Sequence, residues 1–473
     1  MHLPEGLIAV VKQDCPTCVL VDPVLASIER SGLSLTVYVQ DEPGFPSTRQ
    51  VVDDRSLEAS YRLHIEIVPT LIRVADGREQ ARVVGWERDE WRALTGIASL
   101  GSELPAYRPG CGSLAVQPGI AERLALKYGD FSLHSRELEV PSLSDSVEYC
   151  YERGWSDGLP VVPPTAERIY RMLKSTTRAA DEVLGHMPPL LSACTVEKVA
   201  INAVLAGCAP EHLPAVLAAV EAALDPAFCL HGLLATTWFS GPMIIVNGPA
   251  RKALGMNWAG NVLGQGNRAN ATIGRALQLT VRNVGGGKPQ ETDMSTFGHP
   301  GKFGFCFAED EDTPWTTLAE DRGVPRERSA VTVFSADGPL GCADQKSRSP
   351  DALIYSLAGS LRGLNHIDMV NAADAVVVIG PEHGRVFDLA GWSKTDVADA
   401  LHAATHIKGV DLGMGTAPGV APPGDSGMRP KFRAGGLTLI RAGGQAGMFS
   451  AIIPGWLVKG ELGTNPVTRE LRA

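Results

Sequence analysis

The chain has 473 residues, 44% of them hydrophobic, which is too long for one ordinary core, so two or three domains are expected. Its 43 Lys plus Arg against 53 Asp plus Glu give a formal charge of -10 with no basic tract, which argues against nucleic acid or an anionic membrane surface as the main partner. No apolar run is long enough to span a bilayer, and Met1-His2-Leu3-Pro4-Glu5 puts no basic region ahead of an apolar core, so no membrane partner and a cytoplasmic location are expected.

The apolar run Leu7 to Val11 reads as a strand and leads into Cys15-Pro16-Thr17-Cys18. Two intervening residues put both sulfurs on the first turn of a helix, where the dipole and free N–H groups favour a thiolate. Cys15 is then the attacking thiol, and Cys18, one turn further in, resolves the mixed disulfide. Leu35 to Val39 reads as a second strand, Pro69 to Val74 as a third and Arg78 to Val84 as a fourth. Glu87 to Leu94 reads as a closing helix stopped at Gly96. A CxxC can also be half of a zinc site, but no His or Cys lies between Cys18 and His64 to supply a second pair at suitable spacing. Seven of the nine cysteines are scattered without paired spacing, which fits a reducing compartment better than a disulfide scaffold.

Cys15-Pro16-Thr17-Cys18, answered by Val68-Pro69-Thr70 in this order of elements, resembles the thioredoxin family over about the first hundred residues. The resemblance implies a thioredoxin-like redox domain over 1–98 with Cys15, Cys18 and Pro69 at its site. It also implies that Pro69 is cis and lies against the dithiol, shaping the groove that receives a partner's extended strand. Pro-Thr stands where Gly-Pro is commonest in the family, and Asp14 where tryptophan is usual, which leaves redox potential and partner choice open.

Residues 99–150 read as a linker and connecting segment, because Gly101 to Pro105 and Arg108 to Ser113 concentrate turn formers. Cys111 sits inside it, an accessible thiol placed to carry electrons from Cys15 to a larger module. From 151 to 473 the chain reads as one large α/β domain with a mixed or parallel sheet covered by helices. Glu167 to Leu173, Val196 to Ala206 and Leu213 to Leu224 have helical spacing; Met243 to Val246, Ala330 to Phe334 and Ala375 to Ile379 read as strands. These strands end in Asn247-Gly248-Pro249, Asp337-Gly338-Pro339 and Gly380-Pro381, and three such turns are expected to rim one ligand site. Pro210-Glu211-His212 and Pro381-Glu382-His383 hint at an internal duplication.

Gly264-x-Gly266-x-x-Ala269 matches the dinucleotide fingerprint in letters, but it follows no strand and lacks the acidic partner. Anion capture is the better reading, with Asn247, Asn267, Arg268, Asn270, Arg275, Lys302 and Lys394 as substrate-binding candidates. The run Glu309 to Asp312 reads as a solvated acidic loop. Cys194, Cys208 and Cys306 are the nucleophile candidates, and His299, Glu382 and His383 the groups that move a proton. Small buried cysteines are common, and the flanking Phe305 and Phe307 argue for burial of Cys306.

The string Gly154 to Thr165 resembles the opening of an uncharacterised bacterial protein group found fused to thioredoxin-like domains. The expectation is a thiol-dependent oxidoreductase. Its redox-active dithiol, fed by a cellular thiol reductant, regenerates a cysteine in a large domain that acts on a small, anionic molecule. No cofactor beyond that dithiol is firmly implied, and a homo-oligomer is expected. Two alternatives stand beside it: a metal-dependent hydrolase or lyase with His212, His299, Glu382 and His383 as ligands, and a redox-controlled binding or chaperone module.

Overall fold

The computed structural model describes residues 3–141, 144–365, 370–409, 427–456 and 463–472, in two compact units, Met1–Leu133 and His134–Ala473. The first contains β1 (Gly6–Val11), α1 (Pro16–Arg30), β2 (Leu35–Val39), β3 (Val51–Asp53), α2 (Glu58–Arg62), β4 (Ile67–Val68), β5 (Thr70–Ala75), β6 (Arg78–Val84) and β7 (Trp86–Glu87). These are followed by α3 (Arg88–Thr95), β8 (Tyr107–Arg108), β9 (Cys111–Gly112) and α4 (Ile120–Tyr128). Five strands form a sheet in the order β3-β2-β1-β5-β6, with β1 parallel to β2 and antiparallel to β5. Central β1 has Leu7 to Val11 buried without interruption, because both of its faces are covered. The closing helix α3 is capped by the Glu87 side chain, which accepts from the Glu90 N–H at 2.6 Å, and stops at Gly96 with φ 75°.

Residues 99–133, expected to belong to a linker, are part of this first unit. Trp86 and Trp91 pack edge to face at 5.2 Å, and Trp86 Nε1 donates to Pro105 O at 2.7 Å. The Gln40 side chain donates to Ser113 Oγ at 2.7 Å and accepts from the Leu114 N–H at 3.0 Å. Leu57, Ala115 and Leu124 form a small core with the α4 helix. The turn formers serve close approach rather than flexibility: a Cβ on Gly101 would stand 2.4 Å from the Trp86 ring, and one on Gly110 2.6 Å from Val68 O.

The second unit opens with α5 (Ser146–Glu152), α6 (Ala166–Leu173), β10 (Val183–Met187), β11 (Ser192–Thr195), α7 (Val196–Ala206), α8 (Leu213–Leu224) and α9 (Leu230–Ala235). It continues with β12 (Gly241–Asn247), α10 (Ala250–Ala253), α11 (Arg268–Gly285), β13 (Cys306–Ala308), α12 (Leu318–Asp321), β14 (Ala330–Ala336) and β15 (Leu340–Ala343). After these come α13 (Pro350–Arg362), β16 (Ala373–Ile379), α14 (Pro381–Leu389), α15 (Lys394–Ala404), β17 (Ile407–Lys408), β18 (Met428–Arg429), β19 (Phe432–Arg441), β20 (Phe449–Pro454) and β21 (Val467–Glu470).

Two mixed four-stranded sheets, β13-β12-β14-β21 and β15-β20-β16-β19, share an apolar layer. Met243, Ile245 and Phe334 of one meet Val376, Val378, Ile440 and Ile453 of the other. The far face of the second sheet, with Ala375, Val377 and Ile379, packs on Leu353, Leu357, Phe387, Val397 and Leu401 of α13, α14 and α15. Strands covered on both faces explain the unbroken Ile-Ile-Val and Val-Val-Val-Ile runs.

The strand pattern repeats. β12 is flanked by parallel β13 and antiparallel β14, and β14 by antiparallel β21. Likewise β16 is flanked by parallel β19 and antiparallel β20, and β20 by antiparallel β15. In chain order β12-β13-β14-β15 recurs as β16-β19-β20-β21, with the fourth strand of each set crossing to the other sheet. Gly248-Pro249 after β12 thus corresponds to Gly380-Pro381 after β16. His212 has no such relation to His383, since Pro210 to His212 is a 3-10 turn leading into α8.

This topology corrects the expectation that three turns rim one site. Because β14 runs antiparallel to β12, Asn247 pairs with Ala330 and Gly241 with Ala336, so the turn at Asp337 lies at the opposite end of the sheet from Asn247. No single helix among the described residues is long and apolar enough to cross a membrane; a bent pair, 210–224 with 226–235, meets the criterion together, and α8 within it is largely buried.

Leu71 is wholly buried in β5. Leu71→Ala is expected to lower the stability of the first unit by about 2–5 kcal/mol, through lost burial and a residual cavity. Peptide-resolved hydrogen exchange checks this: protection should fall throughout β1, β2 and β5 while the two sheets of the second unit keep theirs.

Candidate functional site

In the first unit Cys15 is the N-cap of α1, with φ -150° and ψ 110°, and its Sγ accepts from the Cys18 N–H at 3.3 Å. Pro16 opens the helix at a position where no backbone N–H is needed. The Cys15 Sγ lies 3.5 Å from Val68 O, beside Pro69, and the Val68–Pro69 bond is cis. A hydrogen bond from the Cys18 thiol is the largest influence on Cys15. Helped by the Cys111 thiol and the N–H groups of Cys18 and Thr17, it holds the Cys15 thiol down to about 5 against the opposing effect of burial. Cys18 moves the other way: burial, then the neighbouring Cys15, keep it protonated. The result is one ready thiolate and one reserve proton donor within a single helical turn.

Cys111 belongs to the same site. Strand β9 runs antiparallel to β4 with Cys111 opposite Val68 and Gly112 opposite Ile67. Thr17 Oγ1 donates to Pro109 O at 2.7 Å, and Lys12 Nζ to Gly112 O at 2.9 Å. Burial, then the hydrogen bond to Cys15, push the Cys111 thiol up. Lys12 and Gly110 contribute to this site and were missed in the sequence. Lys12, directly after the β1 run, had no feature to mark it; Gly110, immediately before Cys111, was read only as a turn former.

The candidates in the second unit are dispersed. Cys194 lies near the end of β11, directly before Thr195, the N-cap of α7; it is fully buried, and burial pushes its thiol up to about 12. Cys208 is also buried and pushed up to about 12, its Sγ donating to Thr272 O at 3.3 Å. Burial raises Cys306 as well. His383 is enclosed between Ser450 Oγ at 2.7 Å and Asp344 O at 3.1 Å. Burial pushes His299 down; its Nδ1 accepts from the Gly301 N–H, and Nε2 lies 3.1 Å from Ala336 O. His212 Nδ1 accepts from the Ala209 N–H at 3.3 Å. Glu382, 3.6 Å from Arg385, lines a cavity of about 450 Å³ with Arg348, Leu389 and Met448. Among the described residues no three His, Cys, Asp or Glu side chains converge to hold a metal ion.

Several anion-binding candidates are engaged in holding the fold. Arg275 makes a two-point ion pair with Asp157 at 2.7 and 2.8 Å, and Lys302 pairs with Asp293 at 2.7 Å. Arg268 Nε donates to Gly207 O at 3.0 Å. Asn267 caps α11, and Asn270 clamps the preceding loop by bonding both N and O of Asn257. The loop holding Gly264 and Gly266 therefore leads to a helix whose first turn is capped by its own asparagine.

Asn247 and Lys394 do converge, on a carboxylate. Asn247 Nδ2 donates to Glu309 Oε2 at 2.6 Å and Glu311 Oε1 at 3.1 Å; Lys394 Nζ stands 4.0 Å from Glu309 Oε1. Arg251 pairs with Glu311 at 2.9 Å and donates to Glu309 O at 2.7 Å. Burial pushes the Glu309 carboxyl up to about 7, against Lys394 and the Leu318 N–H. The run from 309 to 312 follows β13 and is solvated only in part: Glu309 and Glu311 are 2% and 5% exposed, while Asp310 is half-buried and Asp312 exposed. Four acidic residues in a row carry no alternation of polarity, so nothing in the sequence marks which two are buried. Among the described residues, Asn247 Oδ1 and Arg251 Nε, both buried, find no hydrogen-bond partner.

Comparison with known protein families and with curated proteins returns no match to this chain.

Two titrations check these assignments. In the reduced protein one thiolate is expected to appear in the ultraviolet with a midpoint near pH 5, to be absent in Cys15→Ser, and to move upward in Cys18→Ala, which removes the largest stabilising hydrogen bond. Since the folded value lies below the ordinary 9.0, the stability this group contributes is full above pH 9 and is lost as pH falls through 5. Glu309 has the opposite sign. Its folded carboxyl holds a proton that the unfolded chain releases near 4.5, so stability declines as pH rises from 4.5 to about 7, and Glu309→Gln is expected to flatten that decline in denaturant titrations.

Proposed function

We propose that the first unit is a thioredoxin-like thiol–disulfide oxidoreductase and that the chain joins it to a large α/β unit acting on a small molecule. The observation that carries this reading is the division of labour between Cys15, lowered to about 5 at a helix N-terminus, and Cys18, kept protonated by burial. The neighbouring Val68–Pro69 step and the β3-β2-β1-β5-β6 sheet support it. In the reductive direction the Cys15 thiolate attacks one sulfur of a client disulfide, forming a mixed disulfide and expelling the client's other sulfur as a thiolate. Cys18 gives its proton to that thiolate and attacks Cys15 Sγ, releasing the second client sulfur as a thiolate, which takes a proton from water, and leaving the Cys15–Cys18 disulfide. A cellular thiol reductant in a reducing compartment restores the pair.

Regeneration of a second-unit cysteine would require Cys194, Cys208 or Cys306, which are buried and protonated, to be uncovered. The proposal for that unit therefore moves the chemistry to Glu309, whose carboxyl near 7 suits proton transfer at neutral pH, with Asn247 and Lys394 beside it. The repeated strand order supports an internal duplication of this unit.

Turnover of an aromatic disulfide with dithiothreitol as reductant is the test. Cys15→Ser is expected to fall to the uncatalysed rate, and Cys18→Ser to stall at a disulfide of Cys15, with the substrate or with another first-unit cysteine, that mass spectrometry locates. Undiminished turnover by Cys15→Ser would defeat the reading.

A further inference from the structure

In this structure the two sulfurs of the proposed dithiol are closed off: Cys15 is 1% exposed and Cys18 0%. The cover is the chain's own segment from Tyr107 to Ser113. It is fixed by the Val68–Cys111 register, by Thr17 to Pro109 O, by Lys12 to Gly112 O and by the Ser113 N–H to Glu66 O at 2.9 Å. Gly110 lets it pass within van der Waals reach of β4. The backbone edge of Ile67 and Val68, where an extended polypeptide would add as a strand, is already paired. What the segment places beside Cys15 is a third thiol, Cys111, which stands opposite the same Val68 whose carbonyl Cys15 Sγ meets at 3.5 Å, packs against the cluster holding Cys15 and Cys18, and is only partly buried.

Resting on the dithiol reading above, we infer that Cys111 is the thiol through which Cys15 and Cys18 exchange with the outside, and that the client is a low-molecular-weight disulfide rather than an extended polypeptide. The relay balances as three exchanges. Cys111, as its thiolate, attacks a small disulfide RSSR, giving Cys111–S–S–R and RS⁻. The Cys15 thiolate attacks Cys111 Sγ, expelling the second RS⁻ and forming the Cys15–Cys111 disulfide. Cys18, on losing its proton, attacks Cys15 Sγ, forming the Cys15–Cys18 disulfide and returning Cys111 as a thiolate. The net change is two RSH formed and one dithiol oxidised. Run backwards, the same steps let a small thiol reduce the pair. Tethering in register keeps the middle step intramolecular, with an effective concentration at or above the millimolar range of short tethers. Lys12, beside Gly112, offsets part of the rise that burial and Cys15 impose on the Cys111 thiol.

Oxidised glutathione and the full-length protein test this. Cys18→Ser exposed to oxidised glutathione is expected to yield a Cys15–Cys111 disulfide in linked peptides, and Cys15→Ser to carry glutathione on Cys111. Cys111→Ser and Cys111→Ala are expected to reduce oxidised glutathione about tenfold more slowly or worse, the loss expected when a tethered step becomes bimolecular. Two variants are used so that one misfolding does not decide the matter. The inference is overturned if either folded variant matches or exceeds the wild-type rate, or if Cys18→Ser carries glutathione on Cys15 with Cys111 free. The dithiol reading fails separately: it falls if the wild-type protein forms no Cys15–Cys18 disulfide under the same oxidant, whatever Cys111 does.

Discussion

A sulfur placed as the cap of a helix and hydrogen-bonded by a second, buried sulfur is the interaction on which the first unit depends. Burial alone raises a thiol, as it does for Cys194, Cys208 and Cys306. Cys15 is buried too, yet it is lowered to about 5, chiefly by the neighbouring Cys18 thiol and further by Cys111 and by its place as the helix cap, where the Cys18 N–H donates to it at 3.3 Å. What separates Cys15 from the buried cysteines of the second unit is therefore its place at a helix N-terminus beside two other thiols. Everything around the pair maintains that placement: β1 is buried on both faces and sets the start of α1, and the β4–β9 pairing holds Cys111 in place.

The second unit is governed by another constraint, the pairing of two sheets through strands covered on both faces. Chain crossings at β15 and β21 tie each sheet to the other, so the repeated set cannot separate without breaking strand pairs. The two corresponding turns, at Gly248-Pro249 and Gly380-Pro381, come out at the same end, where Asp310 N bonds Arg441 O at 2.7 Å. There the repeat has diverged chemically. After one turn stands Arg251 with Glu309 and Glu311; after the other stand His383 and Arg441, the latter paired with Asp388 at 2.9 Å. Among the described residues, only the first leaves buried polar atoms without partners and a carboxyl near 7.

Local structure was largely legible because its causes are local. Val196–Ala206 and Leu213–Leu224 are bounded correctly by their periodicity. Strand ends were legible to within a few residues. What could not be read was direction and partnership. Nothing in Ala330 to Phe334 states that it runs antiparallel to Met243 to Val246, and that one fact moves Asp337 to the far end of the sheet. Arg275 and Lys302 looked like anion ligands because a sequence does not show Asp157, 118 positions away, or the approach of Asp293.

Cys111 illustrates the limit most sharply. Its neighbours Pro109, Gly110 and Gly112 are turn formers by propensity, and propensity led to a linker. In the fold these residues have different tasks: Pro109 offers its carbonyl to Thr17, Gly110 lacks a side chain where Val68 O would collide with one, and Gly112 offers its carbonyl to Lys12. A segment chosen for flexibility would gain nothing from three such fits, and each of them constrains where the intervening sulfur lies. Small residues in a loop are therefore ambiguous between freedom and close approach, and the ambiguity is resolved by what they approach. Here it is a helix cap bearing a thiolate, so the conformational freedom of the segment has been exchanged for a fixed sulfur beside a reactive one.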